Sequence, residues 1–548
     1  MGHQPSARPA EFPLEVSRLQ VDREGVRGYL WPLGRDELLA MRDTALSGLA
    51  SASRHDPRAG LSDPEILSVV FVQFLAEAMV LYQARALCRR LGELGHIPSA
   101  PPNDRVFSTV LAGVPPPADH PLLRKLAEGF PATRRPGPPA WMGRVVQESR
   151  LQGLSLSVLL PRDRGRDILA IDHSTLITHH ARTFSGRVRP LNYREFFAEP
   201  VAPGPSSRAG EPLAGPLLDL ALAAVDRGFR AGNESLPGFL ARYLRDWLAR
   251  ATGLVRARLV SLLRRRSDLP LRLWTGSGAN IWSRVLRHAV REAGGSVTGH
   301  DHGSGAGHID GVAKTVADFE SSDEFVTYTQ TQVRLLEREM RSDLLTQAVP
   351  PRIRSVESPR AVRLPRAWRR RPRARGGKKS VLYPSTFYNG ERMHFMVQIP
   401  DVVAVDWEAR LFARLCEWGY DVVLKPHPDS VSPPPDVYTR DFGVRIRSEP
   451  FERVMGEADV ILSISSLSTA FFNALLTDLP IVFVDFGLVS WLPEARAVFE
   501  KRCPVVHGWF DENRRAQVDW PELREAIERA PSLKDDAFRQ EFVGSLPH

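Results

Sequence analysis

Short apolar runs alternate with longer helical patterns over most of the chain beyond residue 160. The runs that predict strands include DILAID (167–172), LRLWTG (271–276), GSVTGHDHG (295–303), DEFVTYT (323–329), SVLYPSTF (380–387), DVVLKPHP (421–428), ADVILSIS (458–465) and PIVFVD (480–485). The segments between them place apolar residues at helical spacing, with helices predicted at 214–265, 279–294, 330–345, 406–419, 450–457 and 468–476. Short strands alternating with helices are typical of βαβ units and parallel sheets. The predicted fold class is therefore α/β.

The predicted strands fall into two blocks, which indicates two Rossmann-like domains that face one cleft. Before the first block, residues 1–150 combine proline-rich stretches with one strong helical pattern, from Pro64 to about Leu94. The predicted organisation is an N-terminal, mostly helical extension (1–150), a Rossmann-like domain (151–349), a basic linker (350–380), a second Rossmann-like domain (381–510) and C-terminal helices (511–548). Open α/β sheets bind ligands at the carboxyl ends of their strands, so the chemistry is expected there.

The composition is that of a soluble protein with several domains. The chain has 548 residues, of which 43% are hydrophobic and 25% are charged. No uninterrupted apolar run approaches the roughly 20 residues that span a bilayer, and the N-terminal residues lack a signal-peptide core. Cys88, Cys416 and Cys503 share no CxxC spacing, which disfavours a disulfide framework or a zinc knuckle. We expect a cytoplasmic location.

The net charge of +9 comes from one segment. Residues 351–380 hold twelve Lys or Arg and a single acid, Glu357, for a net charge of +11, so the remaining residues are near −2. A solvated interdomain linker is one interpretation of this segment. Attraction to an anionic membrane face or a polyanionic substrate is another, and it predicts peripheral membrane association. A nucleic-acid partner is not expected, because Trp368 is the one aromatic residue among these basic residues and no binding motif is present.

The stretch VVLKPHPDS (422–430) places a lysine and a histidine at the end of a predicted strand. Pro426 and Pro428 restrict the backbone on either side of His427. Lys425 offers a compact cation for phosphate, and His427 can donate a hydrogen bond to a phosphate oxygen or titrate near neutrality. Lysine is rare here, with seven among 73 basic residues, so a chance lysine is less expected. An incidental surface turn is the alternative.

Two further loops offer polar groups after predicted strands. A serine-rich turn that includes Ser466 leads into a helix that begins near Ser468 and Thr469, whose hydroxyls can cap the helix or help to hold a phosphate. The loop GHDHGSGAGHIDG (299–311) carries Asp301, His302 and His308 among glycines that let a ligand approach the backbone. Its spacing is a weak signal for metal ligands, and no metal site is predicted. Asp172 after the first strand is a weaker candidate base.

These motifs resemble those of bacterial surface-carbohydrate transferases of GT-B architecture. That group includes CDP-glycerol glycerophosphotransferases, capsule Kdo transferases and bacterial polysialyltransferases. The resemblance covers roughly 270–490 and rests on LKPHP (424–428), STAFFNALLTDLPIVFVD (468–485), HDHGSGAGH (300–308) and LYPSTFYNG (382–390). In two places the sequence departs from the pattern, since Asn473 stands where relatives often carry an acid, and Asp301 stands where many have a neutral residue.

The resemblance implies a metal-independent transferase without a cofactor. A nucleotide-activated donor would bind the C-terminal domain through Lys425, His427, Ser466, Ser468 and Thr469, and an acceptor would bind the N-terminal domain. Asp301, His302 and His427 are the expected catalytic residues, with Asp301 or His302 as the base. The predicted reaction is glycosyl transfer from a nucleotide sugar to a surface or capsular polysaccharide acceptor on a lipid carrier. Polyol-phosphate transfer from a CDP-activated donor and a non-catalytic binding subunit remain as alternatives.

Overall fold

The computed structural model describes residues 10–55, 62–99, 106–117, 119–130, 151, 163, 165–171, 174–201, 213, 215–303, 307–356, 377–390 and 399–543. The strands are β1 (Ala10–Pro13), β2 (Val21–Asp22), β3 (Gly25–Val26), β4 (His96–Ser99), β5 (Ile168–Ile171), β6 (Val188–Pro190), β7 (Arg272–Thr275), β8 (Ser296–His300), β9 (Glu324–Thr327), β10 (Arg352–Ser355), β11 (Ser380–Pro384), β12 (Asp421–Lys425), β13 (Arg445–Ile446), β14 (Val460–Ser463), β15 (Ile481–Asp485), β16 (Val505–Phe510) and β17 (Ala516–Val518). The longer helices are α1 (Arg35–Ala52), α2 (Asp63–Glu93), α3 (Phe107–Leu111), α4 (Pro121–Glu128), α5 (Thr175–Thr183), α6 (Gly215–Ala231), α7 (Gly238–Arg264), α8 (Ile281–Glu292), α9 (Gln330–Glu339), α10 (Asp401–Glu417), α11 (Thr469–Leu475), α12 (Pro493–Arg502) and α13 (Trp520–Arg529).

Two separate parallel sheets organise the described part of the chain, as the sequence pattern predicts. The first has the strand order β10-β9-β8-β7-β5-β6 and the second has the order β13-β12-β11-β14-β15-β16-β17. Every pairing in them is parallel except that of β17 with β16. The strand order reverses between β5 and β7 in the first sheet and between β11 and β14 in the second. At such a reversal the connecting segments diverge, which opens a crevice at the carboxyl ends of the strands.

Most predicted elements occur, with shifts at their ends. The pattern at 214–265 forms two helices, α6 and α7, and the helix expected at 330–345 ends at Glu339. The strand β10 lies inside the segment predicted as a linker and pairs with β9 at the edge of the first sheet. The strand β17 lies within 511–548, where helices were expected, and pairs with β16 at the edge of the second sheet; the helix α13 follows it. Residues 357–376 of the basic segment lie outside the described residues.

The N-terminal helices pack against helices that follow them in the chain. Helix α1 packs along α6, and α2 packs against α1, α7 and α8. Helix α2 begins where the Ser62 side chain accepts the Glu65 N–H, with a proline in its first turn. In the described part of the chain it is the one helix long and apolar enough to cross a membrane. Of its most apolar window, 83% is buried inside the protein, as in a core helix.

Residues 16–26, near the start of the chain, pack on α10, the helix that covers the second sheet. The Val26 N–H donates to Oδ1 of the buried Asp406 in α10 over 3.0 Å. The same carboxylate pairs with Arg410 and Arg515, each at 2.8 Å. These partners satisfy a charge that has no exposed surface. Segments at both ends of the sequence therefore fix the helix that covers the second sheet.

Candidate functional site

The crevice of the second sheet lies at the carboxyl ends of β11, β14 and β15. Its walls include Thr386, Ser465, Ser466 and Asp485, together with apolar side chains. The Ser466 hydroxyl is buried, and among the described residues it has no hydrogen-bond partner. A buried polar atom without a partner costs roughly 1–3 kcal/mol, so such atoms point to a partner that the protein alone does not supply.

Lys425 stands at the carboxyl end of β12, beside β11. The residue is 8% exposed, and its Nζ donates to the carbonyl of Pro426 over 2.7 Å. Burial lowers the pKa of Lys425, and the carboxylates of Glu452 and Glu449 oppose that effect. The second sheet therefore holds a partly desolvated cation at the edge where parallel sheets bind ligands.

His427 follows two residues later, with 35% of its side chain exposed. The Asp429 N–H donates to His427 Nδ1 over 3.2 Å. The neutral ring therefore carries its proton on Nε2, where it can serve as a donor. Its ring lies 5.1 Å from that of Phe387, which packs on it from the loop after β11. Burial lowers the pKa of His427, which favours the neutral ring.

The hydroxyls at the start of α11 have different surroundings. Ser468 is the N-cap, and its side chain accepts the Ala470 N–H over 3.2 Å. This is the plain capping role that was the alternative for this turn. Thr469 occupies the first helical position and is exposed. Ser466 thus carries the buried hydroxyl of this turn that has no hydrogen-bond partner within the described residues.

Asn473 in α11 binds a carboxylate from a neighbouring turn of helix. Its side-chain amide donates to Glu452 over 2.8 Å. Glu452 is also close enough to Lys425 that its carboxylate partly opposes the lowering of the Lys425 pKa by burial. An acid therefore stands beside Lys425, although it comes from Glu452 rather than from position 473.

Asp301 lies at the end of β8 and has no exposed surface. Its Oδ1 accepts a hydrogen bond from Lys314 Nζ over 2.7 Å, and Lys314 also donates to Asp318 over 2.9 Å. Burial lowers the pKa of Lys314, but the attraction of the two carboxylates outweighs burial, so the pKa is raised. The sequence patterns did not point to Lys314, although the rarity of lysine that drew attention to Lys425 applies to it equally. The second oxygen of Asp301 has no hydrogen-bond partner in the described parts of the chain.

The two histidines that follow Asp301 differ in exposure. His302 is exposed, whereas His308 is buried against the rings of Trp491 and Phe538. Burial lowers the pKa of His308 to about 4, and the nearby Asp301 carboxylate and the Ser466 backbone oppose it. Although the Ser466 backbone is close, neither ring nitrogen makes a well-formed hydrogen bond within the described residues.

The loop after β8 docks on the second sheet's own loops. The Leu492 N–H donates to the carbonyl of His308, and the Asp310 N–H donates to the carbonyl of Ser490, each over 2.9 Å. Gly303 has a positive φ of 85°, and a Cβ there would lie 3.1 Å from the ring of Phe472 in α11. The structure thus brings together the glycine-rich loop and the helix of the serine turn. No hydrogen bond or ion pair joins Asp301 or His302 to Lys425 or His427 in the described residues.

A buried carboxyl group fixes the loop after β11. Glu408 of α10 accepts hydrogen bonds from the Ser385 hydroxyl over 2.6 Å and from the Tyr388 hydroxyl over 2.5 Å. Burial raises the pKa of Glu408 to about 7, and these hydroxyls partly oppose it. In the same helix, Asp401 accepts the N–H groups of Asn389 and Gly390, each over 2.8 Å. The available sequence signal for this support was that acids interrupt a largely apolar helical pattern.

The site and fold define an α/β protein with two parallel sheets and a polar crevice at a strand-order reversal. Asp172, the weaker candidate base, lies outside the described residues. No protein-family model and no curated protein matches this chain.

Proposed function

We propose that the protein is a glycosyltransferase that moves a sugar from a nucleotide-activated donor to a surface or capsular polysaccharide acceptor. In this proposal the two parallel sheets are the two halves of a GT-B enzyme. One observation carries it: the cation of Lys425, the donor Nε2–H of His427 and the Ser466 hydroxyl, which has no partner among the described residues, all lie at the carboxyl ends of strands of the second sheet. This set of groups suits the phosphates of a nucleotide donor.

The leaving group of such a transfer is a nucleotide phosphate, on which negative charge develops. Fixed donors and cations that face this charge lower the barrier, because they need not reorganise as the reaction proceeds. The proposal gives this task to Lys425 and His427, with Ser466 as a further donor. Phe387 and the Asp429 N–H hold the His427 ring in place.

The acceptor hydroxyl needs a base, and the surroundings of Asp301 argue against that carboxylate. It is fully buried and bound to Lys314. His302, one residue later, is exposed in the same loop. Imidazole is the side chain best suited to accept a proton near neutrality. The proposal therefore assigns the base to His302 and a supporting role to the Asp301–Lys314 pair.

A panel of nucleotide sugars and CDP-polyols, scored by released nucleotide with cell-derived acceptor, tests the proposal. We expect turnover with one nucleotide sugar, and a loss of roughly 10²-fold or more in His427→Ala, by analogy with the loss of one fixed oxyanion donor. Lys425→Gln should weaken nucleotide binding roughly tenfold or more, as expected for a charge-assisted contact. Lys501→Gln, at an exposed position in α12, is the matched control.

Each other result of this panel has a defined meaning. Turnover with a CDP-polyol would replace glycosyl transfer by polyol-phosphate transfer at the same site. Nucleotide binding without turnover across the panel would favour a non-catalytic binding subunit. Unchanged transfer by His427→Ala would remove the central assignment.

A further inference from the structure

Three buried side chains with metal-ligating atoms lie together outside the crevice of the second sheet. They are His55, which follows α1, Glu65 in the first turn of α2, and His288 in α8. Their exposed fractions are 7%, 3% and 1%. One ligand atom from each lies within 4.8 Å of the others. The group therefore links the N-terminal helices to a helix that covers the first sheet.

The orientation of His55 leaves a lone pair directed away from the backbone. Its Nδ1 lies 3.1 Å from the carbonyl oxygen of Ser53, which can only accept, so Nδ1 carries the proton. Nε2 then bears the lone pair. This atom is buried and has no hydrogen-bond partner among the described residues. A ring held through one N–H by a backbone carbonyl, with the other nitrogen free, is the usual arrangement of a metal-binding histidine.

Glu65 and His288 complete the donor set. Oε1 of Glu65 lies 2.6 Å from Nδ1 of His288, while Oε2 of Glu65 is buried without a partner in the described residues. On the far side of the ring, Nε2 of His288 contacts the hydroxyl of Ser321. Ser321 adopts φ 58°, a left-handed conformation that is uncommon outside glycine. Its hydroxyl can accept the Nε2–H when Nδ1 gives up its proton to bind a metal.

We propose that His55, Glu65 and His288 form a binding site for Zn²⁺ or a similar divalent transition metal. The ligands would be His55 Nε2, the Glu65 carboxylate and His288 Nδ1. Imidazole and carboxylate together suit zinc, whereas Mg²⁺ and Ca²⁺ prefer oxygen ligands alone. Metal–ligand bonds of about 2.0–2.2 Å in tetrahedral geometry set donors roughly 3.4 Å apart. Here Glu65 Oε1 and His288 Nδ1 are 2.6 Å apart and all three ligand atoms lie within 4.8 Å of one another, so metal binding would require side-chain rotation to reach that spacing.

The bound ion would compensate the charge of a buried carboxylate that faces two imidazoles. Because the ligands come from α2, α8 and the segment after α1, the ion would cross-link elements that are distant in sequence. Metal binding to the folded state alone raises its stability by mass action. The site is independent of the proposed transfer reaction.

Zinc titration of the full-length, chelator-treated protein tests the proposal. We expect one equivalent of Zn²⁺ to bind and the thermal midpoint to rise, with elemental analysis confirming the stoichiometry. His55→Gln and Glu65→Gln should each weaken zinc binding at least tenfold and abolish the rise in midpoint. His507→Gln, which changes an exposed histidine in β16, is the control and should bind zinc as the parent does.

Two results would overturn the proposal. One is a parent protein that binds less than about 0.1 equivalent of zinc after extensive incubation. The other is zinc uptake by His55→Gln that equals the parent's. Since His55 lies at the end of a helix rather than within one, His55→Gln is expected to fold, and circular dichroism of the variant checks this.

Discussion

The ammonium group of Lys314 lies 2.7 Å from a carboxylate oxygen of Asp301, with both side chains buried. Asp318 shares the same ammonium group. Lys314→Met should therefore leave two carboxylates without their cation, at a cost of roughly 3–5 kcal/mol, and lower the thermal midpoint by several degrees. Lys125→Met, at an exposed position in α4, should leave the midpoint within about 1 °C. Equal midpoints for the two variants would contradict a structural role for the Lys314 ion pair.

The Asp301–Lys314 ion pair leads to different predictions for the two candidate bases, Asp301 and His302. Asp301→Asn retains an oxygen that can accept from Lys314, and we expect transfer to fall only a few-fold. His302→Gln removes the exposed imidazole and should lower kcat by about 10²–10⁴-fold, the usual contribution of a general base. Steady-state kinetics with the donor found in the panel checks both. If Asp301→Asn loses activity while His302→Gln keeps it, the assignment of the base is reversed.

Glu408 predicts a dependence of stability on pH. Its pKa in the folded protein is about 7, above the ordinary value of 4.5, because the carboxyl is buried. The folded state therefore holds this proton more tightly than the unfolded state does. Stability is lost as pH rises from about 4.5 through 7, by an amount on the order of 3 kcal/mol. This loss arises because the ionised carboxylate is buried.

Thermal denaturation between pH 5 and pH 8 checks the Glu408 prediction. The midpoint of Glu408→Gln relative to the parent should rise with pH, since the variant has no carboxyl to ionise. Glu417→Gln changes an exposed carboxyl on the same helix and should show a constant difference from the parent. A constant difference for Glu408→Gln as well would exclude titration of Glu408 in this range.

The basic segment predicts where the protein is found in the cell. Its net charge of +11 attracts an anionic leaflet over about one Debye length, roughly 8 Å at physiological salt. We expect membrane association that salt extracts and that is lost when five arginines become glutamine: Arg369, Arg370, Arg371, Arg373 and Arg375. Fractionation at low and high salt measures it. A parent protein that never pellets with membranes, or a variant that still does, would leave the segment as a linker.

The strands of both sheets were predictable because each is a short apolar run bounded by turn residues. The predicted run at 480–485 and the strand β15 (Ile481–Asp485) differ by one residue. The strand β10 was not predictable in the same way, since its sequence RIRS carries two arginines and lies at a sheet edge. Arg354 there pairs with Glu324 of β9, a contact between positions that are 30 residues apart.

The candidate site was predictable only as far as local sequence defines it. Strand ends locate Lys425, His427 and Ser466, because the carboxyl ends of parallel strands share one edge. The pairing of Asp301 with Lys314 depends on the tertiary position of the helical turn that carries Lys314. No local sequence pattern encodes that position. The hydrogen bonds between Asn473 and Glu452 and between Tyr388 and Glu408 likewise depend on tertiary structure and could not be predicted from local sequence. These partners decide whether a polar group faces a ligand or the core.

The burial of α2 has a consequence for synthesis on the ribosome. This apolar helix is complete at Glu93, yet its partner α7 ends only at Arg264, on the order of 170 residues later. At 5–20 residues per second, the nascent chain carries α2 without that partner for roughly 10–30 s. During this interval its hydrophobic surface is open to chaperones and to the membrane-targeting machinery. Slowing translation between residues 93 and 264 would therefore raise aggregation of this protein more than slowing it downstream.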